Sequence, residues 1–167
     1  TTAGRRAGGL WAASGMLGAG AGKSVRLALL SAVFKSAGLP EQYPPARFVL
    51  WLRQNGYYAT VKAHIEAAGK DLDRELMQLY VSPLIANGLL AAYPDFAGSP
   101  TEARSLIKAQ YPAEDDISDG RFLTTLEEVL ESQSEAPGKL PLTLLVFDEL
   151  QQFLGEDPGR TLLVQNV

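Results

Sequence analysis

The sequence predicts an α/β chain, and three observations carry that reading. Two apolar runs of strand character stand far apart, at residues 10–15 and 142–147. A glycine-rich turn, Gly-Ala-Gly-Ala-Gly-Lys-Ser at 18–24, follows the first of them. The span between the turn and the second run is filled by helical patterns. The second run, Leu-Thr-Leu-Leu-Val-Phe, is apolar almost throughout rather than alternating, as expected of a central parallel strand covered on both faces. With only two strands visible, the expected parallel sheet is incomplete.

Composition sets the outer limits. A length of 167 residues suits one domain with a real core, and 46 % hydrophobic against 20 % charged residues describes an ordinary globular chain. The formal net charge of −4 gives no support for a surface that binds nucleic acid over its whole extent. Cysteine is absent, which removes disulfides and thiolate metal sites and fits a cytoplasmic setting. One histidine, His64, rules out a His-rich metal cluster. No apolar run approaches the roughly 18 residues a bilayer span requires, so no membrane partner is expected.

Taken in order, residues 10–15 form the strand that enters the glycine turn, although few of them are β-branched. From Lys23 and Val25 onward, Leu27, Leu30, Val33 and Phe34 recur at helical spacing, and Gly38 with Pro40 stops that helix. Pro44-Pro45 opens a second helix that Asn55-Gly56 closes; Val61 and Ile65 mark a third, with Gly69 after its end. Leu72, Leu76, Leu79 and Tyr80 make the stripe of the next. Ser82-Pro83 caps another, running to Leu90. Ser99-Pro100-Thr101-Glu102 has the residues of a capping box. After the acidic loop Glu114-Asp115-Asp116, expected to be solvated, a helix from about Ser118 places Phe122, Leu123, Leu126, Val129 and Leu130 on one face. Trp51, Tyr57 and Tyr58 are expected to pack rather than to stack on a base.

The chemistry lies at the two ends of this series. A glycine-rich turn between strand and helix, closing in Lys-Ser, wraps a polyphosphate: backbone N–H groups turn inward, the lysine reaches the β- and γ-phosphates, and the serine hydroxyl ligates magnesium. Here Gly18, Gly20, Ala21, Gly22, Lys23, Ser24 and Val25 would line the phosphates. The regular pattern G-x-x-x-x-G-K-[ST] needs glycine at position 17, which is Leu17. The run is regular again from Gly15 if one Gly-Ala pair is removed, so it has the form of a phosphate loop, residues 15–24, lengthened by two residues. Alternatively, Leu17 occupies the first glycine position. About 125 positions later, the strand of residues 142–149 runs into Asp148-Glu149. An apolar strand ending in Asp-Glu is the Walker B arrangement, in which the aspartate holds magnesium and the glutamate polarises the attacking water. Parallel sheets bind ligands beyond the carboxyl ends of their strands, so both motifs would converge on one crevice.

The two motifs in this order define the expected fold and site. The fold is a P-loop NTPase core in one domain over 1–167, with a helical insertion at about 43–134. The cofactors are ATP and Mg2+. Lys23 and Glu149 are the catalytic candidates, and Ser24 and Asp148 the metal ligands. A twin-arginine signal reading of Arg5-Arg6, the apolar run and Ala19-Gly20-Ala21 explains nothing at Asp148 and is set aside.

The chain also resembles the large P-loop ATPases of BREX phage-resistance systems, the BrxC/PglY type. The resemblance rests on Asp-Leu-Asp-Arg-Glu-Leu at 71–76 leading to Leu-Tyr-Val-Ser-Pro at 79–83, on Ala-Gln-Tyr-Pro at 109–112, and on residues 144–155 around Asp148. It covers most of this chain but a small part of such a protein. It implies an AAA-like ATPase working in a multi-protein defence complex on DNA, with homo-oligomeric or other subunit partners. The longer loop departs from the family pattern. A following strand, a sensor residue and an arginine finger are expected after Val167, since Arg160 is too close to Asp148 to act as the finger. Two rivals differ in chemistry: a nucleotide-dependent switch or scaffold with little hydrolysis, and a helical interaction module with no nucleotide site.

Overall fold

The structure, a computed structural model, describes residues 8–16 and 24–148. It divides into two compact units, one formed by residues 1–41 with 114–167 and the other by residues 42–113. Its described part is mostly helical, with one two-stranded parallel sheet.

In the first unit, β1 (Leu10–Met16) pairs in parallel with β2 (Leu142–Asp148), from Leu10 beside Leu142 to Met16 beside Asp148. The connection between parallel partners must cross over, and here it contains every described helix. Helix α1 (Val25–Ser36) lies against β1. A glycine at position 15 makes this closeness possible: a Cβ placed there would sit 2.5 Å from the Ala32 methyl. The end of α1 also ties back to the strand, because the Ser36 hydroxyl accepts from the Ser14 N–H (3.1 Å) and donates to the Ser14 carbonyl (3.2 Å). The other side of α1 meets the helix Asp119–Ser132. A helix covered on two sides buries more than one stripe, and Leu29, Leu30, Ala32, Val33 and Phe34 are all buried.

Residues paired across a parallel sheet point to the same face. Ala13 and Gly15 face α1, so Leu10, Leu142, Leu144 and Val146 share the opposite face. Among the described residues that face is open: Leu144 is 62 % and Leu142 54 % exposed. The sequence reading of 142–147 as a strand covered on both faces therefore differs from the described sheet, in which β1 is the one strand beside β2 and α1 covers one side.

The second unit holds α2 (Tyr43–Gln54), α3 (Tyr58–Ala67), α4 (Leu72–Leu76), α5 (Pro83–Ala92), a 3-10 turn at Pro94–Phe96 and α6 (Pro100–Gln110). Helix α5 is its centre, packed on α3, α4, α6 and the 3-10 turn. Its residues Ile85, Ala86 and Leu89 are wholly buried, and Gly88 lets α3 approach, since a Cβ there would meet Val61 and His64 at 3.3 Å. His64 is thus a packing residue at the α3–α5 contact. The aromatic residues use their faces on one another. Tyr57 stacks on Tyr93 (5.4 Å, 14°), and Trp51 lies against Phe48, Tyr57 and Phe96 at 5.5–6.1 Å.

Helix α7 (Asp119–Ser132) belongs to the first unit, so the unit of helices ends at Ala113, where the sequence reading runs the insertion to about 134. Two smaller expectations are corrected. The helix expected over 72–80 stops at Leu76, because Pro83 forces Ser82 into an extended conformation and the segment before it tightens into successive i to i−3 turns. Leu123 is 56 % exposed; Phe122, Thr125 and Val129 form the buried stripe of α7. Among the described residues no helix is long and apolar enough to cross a membrane.

Candidate functional site

The site begins where β1 ends. Met16, the last described residue before the glycine run, is the register partner of Asp148, the first acid of the Asp-Glu pair. Both strands run in the same direction, so their carboxyl ends lie side by side. The seven residues 17–23 connect Met16 to Ser24, where α1 starts. Gly18, Gly20, Ala21, Gly22, Lys23 and Glu149 lie outside the described residues.

Ser24 is the N-cap of α1, with extended backbone (φ −63°, ψ 153°), and its Oγ accepts from the Leu27 N–H at 3.1 Å. A serine is favoured here because its oxygen replaces a missing intrahelical acceptor. Helix geometry leaves the N–H groups of Val25 and Arg26 without an intrahelical acceptor, and the helix dipole adds positive potential at the same end. The side chain of Val25 is buried, so a phosphate could meet this residue through its backbone N–H alone.

Arg26 points to a different set of partners. Its Nε donates to Asp119 Oδ1 at 2.5 Å, and its Nη1 donates to Asp116 Oδ2 and Oδ1 at 3.2 and 3.4 Å. Asp116 also accepts from the Ile117 N–H at 2.8 Å. Burial opposes the charge on Asp116, but the Ser24 hydroxyl, the Ile117 N–H and the Arg26 guanidinium outweigh it and hold the carboxyl below its usual range. Nearby, Glu114 makes a two-oxygen ion pair with Arg121 at 2.6 and 2.7 Å. The acidic loop expected to be solvated is therefore engaged, two of its three acids holding arginines. Sequence reasoning missed Asp116 because its partner Arg26 lies 90 positions away, beyond any local spacing signal.

The donors suit the expected ion. Ser24 and Asp148 offer one hydroxyl and one carboxylate, hard oxygen ligands of the kind Mg2+ takes while it keeps several waters and phosphate oxygens. Among the described residues no group of three or more His, Cys, Asp or Glu side chains is gathered to hold a metal by itself. A metal here would depend on the phosphates it accompanies. Compared with protein-family models, curated proteins and solved structures, the chain matches none.

Proposed function

We propose that this chain binds ATP with Mg2+ and, as part of its full-length protein, hydrolyses it to drive a conformational step. The observation that carries the reading is the register of the sheet: the strand entering the glycine run and the strand ending in Asp-Glu are parallel neighbours, with Met16 beside Asp148. A second support is Ser24, which follows the Lys of that run and caps the helix packed on the same strand.

Each residue then has a distinct task. Lys23 neutralises charge on the β- and γ-phosphates, and the N–H groups at the start of α1 add to the same field. Ser24 and Asp148 hold Mg2+, whose role when bound is to neutralise developing phosphate charge. Glu149 orients and polarises the attacking water. The extra Gly-Ala pair in the loop favours a second reading, a nucleotide-dependent switch that hydrolyses slowly, because it changes how Lys23 is delivered. Participation in a BREX-type defence complex on DNA, with partner subunits, is the biological setting proposed here on the resemblance in residues 71–83, 109–112 and 144–155.

Two substitutions in the full chain test this. Lys23→Ala should abolish nucleotide binding, whereas Glu149→Gln should bind ATP and fail to release it as product. Binding lost in the first with slow turnover in the unaltered protein supports the switch. If neither substitution alters affinity or turnover, the enzyme reading is wrong.

A further inference from the structure

We infer that α3 is a DNA-docking helix: with α2 and the turn between them it forms a helix-turn-helix whose outer face enters the major groove of a duplex. The helices of this motif are joined by a short turn of three or four residues that often contains glycine. Here the joint is Asn55-Gly56-Tyr57, and Gly56 takes the positive φ (75°) that the reversal needs. The Tyr57 N–H donates to the Leu52 carbonyl at 2.8 Å and the Tyr57 ring stacks on Tyr93, so the start of α3 is held from two directions. Helix α3 then packs chiefly on α5 and only slightly along α2. That packing buries Val61 and Ile65 and leaves Ala59, Thr60, Lys62 and Ala63 exposed on the outer face.

Charge and size decide what meets that face. Residues 43–70 carry four cations, Arg47, Arg53, Lys62 and Lys70, against one acid, Glu66, in a chain whose formal charge is −4. A net acidic chain does not bind nucleic acid over its whole surface, but a basic stretch on one helix pair is the local footprint of such binding. Arg53 is exposed beside the turn, its guanidinium 4.9 Å from the ring centre of Tyr58, the first residue of α3. Lys62 lies one helical turn beyond Tyr58 on the same side, with its side chain 46 % exposed. Its ion pair with Glu66, 3.7 Å long and exposed at both ends, contributes little, so a phosphate can take the place of the carboxylate. No acid occupies the first turn of α3. Ala59, Thr60 and Ala63 are small, so no bulky side chain at these positions holds the helix away from the bases. The major groove admits one α-helix, with cations on the flanking phosphates fixing its position. This face belongs to the unit of residues 42–113 and the candidate nucleotide site to the other, so it does not depend on the nucleotide reading.

The test is binding of a short fluorescent DNA duplex by the full chain, followed by anisotropy over a range of salt concentrations, in EDTA and without nucleotide. Phosphate contacts should make the logarithm of the binding constant fall linearly with the logarithm of salt concentration. Arg53→Gln and Lys62→Gln should each lower that slope by about one. Lys139→Gln, which removes an exposed lysine outside residues 43–70, should leave the slope as it was. Ala59→Leu combined with Ala63→Leu adds bulk without charge and should weaken binding several-fold. All five positions are exposed, and circular dichroism checks that each variant folds. No duplex binding by the unaltered chain overturns the inference, as does a slope that Lys139→Gln lowers as much as Arg53→Gln and Lys62→Gln. Binding indifferent to the two leucines overturns the groove docking and leaves a loose attraction of charges. A polyglutamate peptide that displaces the duplex and binds more tightly than it does overturns the inference in favour of an acidic protein partner. With neither ATP nor Mg2+ present, each of these outcomes leaves the nucleotide reading standing.

Discussion

The two units of this chain are held together in different ways. In the helical unit, residues 42–113, the helix caps are local, and the ring contacts reach from Phe48 to Tyr111, 63 positions on. Ser82 Oγ accepts from the Ile85 N–H and Ser99 Oγ from the Glu102 N–H, each three residues on, and α3 packs with α5 a short distance along the chain. In the first unit the defining contacts join residues 90 or more positions apart: Arg26 with Asp116 and Asp119, and Ser134 with the Gly8 carbonyl. The candidate site lies wholly in the unit of distant contacts. Local contacts form cheaply, whereas distant ones require loop closure first, so the site unit depends on the chain between its halves being organised.

The largest expected loss comes from breaking the helical unit at its aromatic core. Phe48 is wholly buried, stacks near Trp51 at 6.1 Å and meets the edge of Tyr111 at 5.7 Å. Phe48→Ala should cost about 3–5 kcal/mol, read as a fall in the urea midpoint; a loss under about 1 kcal/mol would mean that the unit repacks freely. A somewhat smaller loss is expected from the other unit. Gly15→Ala drives a methyl against Ala32 between β1 and α1 and should cost about 1–3 kcal/mol. Gly120, where an added Cβ meets nothing within 4 Å, is the control: Gly120→Ala should not destabilise. If the two alanine variants behave alike, the close β1–α1 approach does not constrain the site unit. The smallest effect is a cap: Ser99→Ala should cost about 1 kcal/mol, measured in the same titration, because α6 loses one local bond and little else.

The same contrast explains what could be read in the sequence. Helix starts at Ser82, Ser99 and Ser118 were legible because a cap and its acceptor lie three residues apart, and each serine makes the expected bond. The capping box at Ser99 differs in one detail: Glu102 reaches back to the Gly98 N–H at 2.8 Å, one residue before the cap. Leu79 and Tyr80 misled because they continue the helical stripe of Leu72 and Leu76; the Tyr80 hydroxyl instead donates to the Tyr111 carbonyl at 2.5 Å. Both strands were legible as apolar runs, but nothing in either run stated that the other would be its direct neighbour. Asp116 was the least legible residue. Within its own loop it is one of three consecutive acids, and its partner is Arg26, 90 positions away.

The most direct test of the central claim is thermal unfolding of the full chain with and without Mg-ATP. A specific site predicts stabilisation that grows with ligand concentration, about 2.7 kcal/mol at 100 times the dissociation constant, and no such rise in Lys23→Ala. A melting temperature indifferent to Mg-ATP, or raised equally in Lys23→Ala, would contradict the nucleotide site.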